Sequence, residues 1–186
     1  MIMKNQQSTH GLYKLFIDEL EDMYSSEHQI MESLAQLVHL AHSPDLKEAL
    51  SKHLKETQNQ VTRIENIFSI LEMSPKEKMC KAMQGLLREA EDLTRNKTKS
   101  SALDAAIISA AQKVEHYEIA SYGTLRSFAK HLDFDSEIVD LLQDTLDEEG
   151  AADKKLTKIA EGTIFSTGVN REAAEVVTAA GKKHKK

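Results

Sequence analysis

Four long stretches of this chain repeat apolar residues at spacings of three and four, and each stripe is interrupted at mid-length by polar side chains. The first stripe is Leu12, Phe16, Leu20, Met23, Glu27, Ile30, Leu34, Leu37 and Ala41. The second is Leu46, Leu50, His53, Thr57, Gln60, Ile64, Ile67 and Leu71. The third is Ile107, Ala111, Val114 or Glu115, Glu118, Tyr122 and Leu125, and the fourth is Ile138, Leu142, Thr145, Glu149, Ala152, Leu156 and Ile159. Such a pattern makes a segment an amphipathic helix whose apolar face must be covered by another. Segments of roughly 25 to 35 residues are far longer than the ~11–12-residue average helix, and four of them predict an antiparallel four-helix bundle.

The ends of the segments are also written in the sequence. Ser43-Pro44 and Ser74-Pro75 both read as an N-cap followed by Pro at the first helical position, and Ser74 with Glu77 forms a capping box. These signals predict helices from about Thr9 to Ala41, from Pro44 to about Glu72, and a shorter one from Pro75 to about Leu93. After the polar connector TRNKTKSS (94–101), a third long helix is expected from about Ala102 to His131. LDFDS is then a turn, with Asp135 or Ser136 capping a helix that reaches about Glu161. The interval between the second and third long helices leaves room for one long crossover carrying the short helix. The expected fold class is therefore all-α, a four-helix bundle with ferritin-like connectivity, over residues 1–161. From Gly162 to Lys186 the chain reads as a partly disordered or loosely docked extension: a turn-rich GTIFSTGVN, a short helix candidate REAAEVVTAA, and a basic GKKHKK end.

Composition removes the main alternatives. Seven Gly and two Pro in 186 residues are too few for the turns of a β-sandwich, and a single cysteine excludes a disulfide framework or a Cys-based zinc site. The first residues, MIMKNQQSTH, have no apolar signal region, and no run is long and apolar enough to span a membrane. A net charge of −6 argues against nucleic acid as a partner. The expected setting is cytoplasmic.

The interruptions carry the chemistry. Glu27 sits on the first stripe between Met23 and Ile30. The second stripe crosses KETQNQ (55–60), which has no apolar side chain, with His53, Glu56 and Gln60 on its inward side. Glu115 and Glu118 face inward on the third, and Glu149 takes a stripe position on the fourth, with Asp153 one turn on at its edge. Burying one unpaired carboxylate costs several kcal/mol, so four at one level of a bundle require cations. Four Glu charges balance two divalent ions, and oxygen donors with an imidazole suit iron or manganese, iron ahead of manganese. The candidate metal ligands are Glu27, His53, Glu56, Glu115, Glu118, Glu149 and Asp153, with Glu27, Glu56, Glu115 and Glu149 expected to converge on one metal shell. Any one of them alone would read as a solvent-facing glutamate or a satisfied core histidine; agreement of level across four helices is what singles them out. A weak internal repeat sets Glu27-His28 of SSEHQIMESL (25–34) against Glu115-His116 of KVEHYEIASY (113–122), and Glu56 against Glu149. Gly150, next to Glu149, is expected to admit a close approach or a local distortion.

The stretches LFIDELEDMYSSEHQI (15–30), LSKHLKETQNQVTRIENIF (50–68), CKAMQGLLREAED (80–92), DAAIISAAQKVEHYEIASYGTL (104–125) and LLQDTLDEEGAADKKLTKIA (141–160) resemble, in order, the YciE/YciF ferritin-like family, related in architecture to rubrerythrins and ferritins. QKVEHYEIASYGTL is the most specific block. The resemblance implies a ferritin-like bundle, a dinuclear metal site, a homodimer and a stress-related role. By analogy with rubrerythrins, Glu27, Glu56, Glu115, Glu118 and Glu149 match carboxylate ligands. The expected histidines do not match: Asn59 stands three after Glu56 and Ala152 three after Glu149, leaving His53 as the nitrogen donor. The family's chemistry is poorly defined, and the oxygen-rich, nitrogen-poor set departs from ordinary ferroxidases and peroxidases; if the chain is an enzyme, it is expected to be a di-metal oxidoreductase of that kind. No Cys pairs are present for a rubredoxin-type electron-transfer domain.

Two functions follow. One is a di-iron or di-manganese protein handling oxygen, peroxide or iron. The other is a non-catalytic helical structural or interaction protein whose polar core is vestigial or holds one ion. A third option, a glycosidase using paired carboxylates, is weaker, because a narrow bundle core has no cleft for a sugar chain. Apolar residues off the main stripe of the first helix (Leu15, Ile17, Met31, Val38) add a bottom-up reason to expect a C2 dimer.

Overall fold

The stripes become helices whose ends are set by identifiable caps. A computed structural model describes residues 11–182 except residue 77, with side chains described as far as residue 175. Its helices are α1 (Gly11–Leu40), α2 (Pro44–Ile70), α3 (Lys81–Thr94), α4 (Ser101–His131), α5 (Ser136–Glu161) and α6 (Val169–Lys182). Between α5 and α6 lies a minimal antiparallel hairpin of β1 (Gly162–Thr163) and β2 (Ser166–Thr167).

Ser43 caps α2, accepting from the Leu46 amide with Pro44 in the first turn, as the sequence predicts. Ser100 caps α4 through the Leu103 amide, and Asp135, rather than Ser136, caps α5 through the Glu137 amide. The short helix begins later than expected. Residues 73–76 and 78–80 are not helical, and the N-cap of α3 is Cys80, whose Sγ accepts from the Met83 amide. The reason is tertiary. The Cys80 amide donates to Ser25 Oγ, Gln29 Nε2 donates to the Cys80 carbonyl, and Lys78 Nζ donates to the Asp18 carbonyl, which holds this strap along α1. Ser74, described and non-helical, caps no helix; its expected capping-box partner Glu77, the expected start at Thr9 and the final KHKK lie outside the described residues.

In the bundle α1 adjoins α2 and α4, and α5 adjoins α4 and α2, so α2 and α4 are diagonally opposed. The crossover through α3 runs the length of the bundle and makes α2 and α4 parallel, which is the ferritin-like connectivity. Asp104, in the first turn of α4, accepts from the His42 and Ser43 amides at 2.7 and 2.8 Å and pins α4 to the α1–α2 turn. Two apolar clusters fill the ends of the bundle. One contains Ile30, Leu34, Leu46, Leu50, Ile107 and Leu156, and the other Phe16, Leu20, Ile64, Phe68, Leu125 and Leu142. Gly162, at φ +82°, ends α5, and Gly168 lies against the backbone of Ala160 and Glu161, where a Cβ would not fit. That turn brings α6 back along α4, with Val169 buried in the first cluster.

Candidate metal centre

Between the two apolar clusters lies a polar layer to which each long helix contributes. Glu27 comes from α1, His53, Thr57 and Gln60 from α2, Glu115 and Glu118 from α4, and Thr145 and Glu149 from α5; all are buried. They occupy stripe positions, so the same periodicity that buries the leucines on either side drives these side chains inward.

His53, Glu115, Glu118 and Glu149 each bring a donor atom within 4.8 Å of the others. His53 Nε2 lies 3.2 Å from Glu115 Oε1 and 3.7 Å from Glu149 Oε2. Glu27, fully buried beside them, accepts a short hydrogen bond from Tyr122 Oη. Glu56 reaches the cluster from its edge: it sits 3.8 Å from His53 Nδ1 and pairs with Lys52 on the same helix. Asp153 is not brought in. It accepts from Gln112 Nε2 at 2.9 Å and lies 3.4 Å from His116 Nε2, which is exposed. His28, His39, His42 and His131 are likewise exposed, as their off-stripe positions predict.

The sequence reading missed two supports. Tyr122 counted only as a stripe residue, yet a buried tyrosine hydroxyl needs a partner, and Glu27 is that partner. Gln60 was placed inward without a role. Its Nε2 donates to Glu149 and, at 3.1 Å, to Glu148, which is held bidentate by Arg63 at 2.7 Å through each nitrogen. The expected distortion at Gly150 is absent. Helix α5 runs unbroken through it, and a Cβ there would meet nothing within 4 Å.

The layer is electrostatically strained without cations. Burial, opposed by the Tyr122 hydrogen bond and by His53, pushes the Glu27 carboxyl up to about 7. Burial, with repulsion from Glu149, Glu27 and Glu115, holds Glu118 well above the carboxylate range. Glu149 is raised by burial and by Glu115. Burial disfavours a charged His53, but Glu115, Glu56 and Glu149 outweigh it and hold the imidazole well above its usual range. The layer thus retains protons where cations would otherwise sit.

Polar atoms left over in this layer test whether a metal fits. Glu27 Oε2, both ring nitrogens of His53, Glu115 Oε2, both oxygens of Glu118 and Glu149 Oε2 are buried without a hydrogen-bond partner. Native interiors leave few such groups, and here they converge from four helices. One imidazole and several carboxylates form a hard, oxygen-rich donor set that suits iron or manganese.

Comparison with known proteins agrees with this architecture. The profile of the family described as "Domain of unknown function (DUF892)" matches residues 11–174. Protein YciF of Escherichia coli (strain K12) is 41% identical over 158 residues, 84% of this chain and 95% of the relative. The crystal structure of that protein, described as a stress protein, matches with a TM-score of 0.77 over 81% of this chain and 94% of its own. YcfI from Rhodopseudomonas palustris, at 40% identity, matches with a TM-score of 0.78 over 81% of this chain and 96% of its own. A dodecameric thioferritin from Bacteroides fragilis shares the fold at 16% identity, with a TM-score of 0.63 over 99% of this chain and 98% of its own.

Proposed function

This chain belongs to the DUF892 family, and from that footing we propose that it is a dinuclear iron or manganese carboxylate protein that handles oxygen, peroxide or iron under stress. The carrying observation is the convergence of His53, Glu115, Glu118 and Glu149 in a buried layer full of unpartnered oxygens. These four would form the centre of the donor set, with Glu27 and Glu56 completing it on either side. Asp153 is left out because Gln112 and His116 hold it. When bound, two such ions would supply one-electron chemistry and Lewis acidity toward a small oxidant.

The chain's own residues prepare the layer. Tyr122 keeps its proton, because burial and Glu27 push its hydroxyl well above the usual phenol range, and it fixes the orientation of Glu27. Gln60, itself braced by Glu148 and Arg63, fixes Glu149. The apolar clusters close the layer along the bundle axis at both ends. Carboxyl groups and imidazole that hold protons must release them to become ligands, so metal uptake expels protons to solvent.

The reading includes a cytoplasmic homodimer. Ile17 is buried and Val38 packs on the core of its own protomer, so the apolar surplus on α1 comes down mainly to Leu15, which is exposed, and Met31. A monomeric mass by light scattering at micromolar concentration would remove the dimer.

Elemental analysis of protein purified without a His tag, with anomalous scattering at the iron and manganese edges, tests the centre. About two ions per chain among the four central residues are expected; protein that takes up neither metal would overturn the reading. The second reading, a non-catalytic scaffold, draws on the protonated state that lets the layer stand without cations, and on YcfI, which is described as a candidate structural protein. It predicts one ion or none and no oxidation of added Fe(II).

A further inference from the structure

We propose that the cavity between α2 and α5 is the path by which a divalent cation reaches the buried layer, with Glu56 as the carboxylate that receives it at the inner mouth. This inference rests on the metal-binding reading and specifies how the site is filled.

The cavity measures about 340 Å³ and opens between Glu48, Lys52 and Lys155 at the surface, ending on His53, Glu56 and Glu115. Ala49, Ala151 and Ala152 line it with small side chains, which leaves the space open. His53 and Glu115, only 5% and 2% exposed, line its floor, and both nitrogens of His53 and Oε2 of Glu115 lack a hydrogen-bond partner. Buried donor atoms whose hydrogen-bonding capacity is unmet, at the end of an open cleft, are what an arriving cation requires.

Two other approaches are closed. On the α1–α4 side, the void lined by Ile30, Leu34, Ala111, Val114 and Glu115 measures about 20 Å³, and α3 covers it through Leu87 and Ala90. That leaves room for about one water in an apolar setting, which a hydrated ion does not cross. Farther along the α2–α5 seam, Arg63 and Glu148 bridge the two helices and Gln60 seals the space behind them. Of these three approaches to the polar layer, only the cavity between α2 and α5 is open.

Glu56 occupies that place. Its side chain is 22% exposed, paired outward with Lys52 and turned inward toward His53 Nδ1 at 3.8 Å. The Lys52 side chain is 72% exposed, and such an ion pair is held weakly and exchanges readily. A cation arriving at the mouth competes with Lys52 for the carboxylate, and His53 and Glu115 lie directly behind it. Lys52 thus acts as a removable stopper, and the cation takes its position on Glu56 before moving inward.

The test uses the metal-free full chain and Co(II) as the probe, followed by its visible absorption in a stopped-flow instrument, with removal by excess chelator as the reverse reaction. Ala152→Phe should slow both uptake and removal by about tenfold or more while leaving stoichiometry and affinity unchanged, because a filled path opens only through local unfolding. Lys52→Ala should speed uptake, and Gln36→Trp, in the groove between α1 and α3, should change nothing. Wild-type rates in a folded Ala152→Phe protein would overturn the path while leaving the metal centre standing. Absence of any Co(II) band in wild type would instead overturn the metal centre itself and the path with it. Should Ala152→Phe fail to fold, by circular dichroism, Ala151→Phe and Lys52→Ala carry the same decision: an unchanged uptake rate in both refutes the path.

Discussion

His53 and Glu115 meet across the diagonal of the bundle, with Nε2 3.2 Å from Oε1, although their helices α2 and α4 are opposite members of the ring. Two side chains on diagonal helices touch only at the bundle axis, so this pair marks the centre of the polar layer. Glu149 approaches the same imidazole from α5, and Glu27 closes the layer from α1. The expected outcomes below follow from how the layer balances its charge.

Glu149→Gln should act with opposite sign in the two metal states. In chelator it removes one of several mutually repelling buried carboxyls and should raise the melting temperature. With Fe(II) or Mn(II) present it removes a ligand charge, lowering metal occupancy and the stabilisation that binding brings by mass action. Equal shifts in both conditions would sink the dinuclear centre.

The metal-free protein should lose stability as pH rises. Glu27 is raised from 4.5 to about 7, so between those values the folded chain holds more protons than the unfolded one. Its contribution is fully present below about pH 4.5 and is lost as pH rises through 7. His53, also raised, acts in the same direction above its unfolded value of 6.5. Bound metal should reverse the trend, because ligation would compete with protonation. Melting temperatures from about pH 5 to about pH 8 should fall in chelator and rise with Mn(II); parallel curves would count against cation binding at these residues.

Tyr122→Phe should destabilise the metal-free protein by about 1–3 kcal/mol above neutral pH, since Glu27 Oε1 loses its donor inside the core. The loss should shrink near pH 5, where Glu27 is protonated. Denaturant unfolding at the two pH values checks this, and an identical loss at both would mean that the hydroxyl serves packing alone.

Gly150→Ala should stabilise the protein by about 0.5–1 kcal/mol. The residue is helical, and an added Cβ has open space around it. A lower melting temperature would show that the glycine is needed for motion or contact near Glu149.

Much of the candidate site was legible because helical periodicity is a local property. Once residues repeat every three or four positions, a polar residue on the stripe must face inward, and Glu27, His53, Glu115, Glu118 and Glu149 are all found there. Asp153 and Glu56 were harder, because both sit at a stripe edge, where a few degrees of helix rotation decide between core and solvent. Asp153 turned to Gln112, and Glu56 turned partly to Lys52.

By itself the sequence determined which long segments are helical, that Ser43 caps the second of them, and which level of the bundle is polar, since each depends on neighbours within a turn or two. Only the tertiary structure decided that Cys80 and not Ser74 starts α3, because bonds from Ser25 and Gln29 on α1 override the local proline signal. It also decided that Tyr122 bonds Glu27 and that Arg63 and Glu148 brace Gln60, contacts between residues 95 and 85 positions apart. No local pattern encodes such pairs. They arise when the crossover makes α2 and α4 parallel and brings four separate stripes to one height.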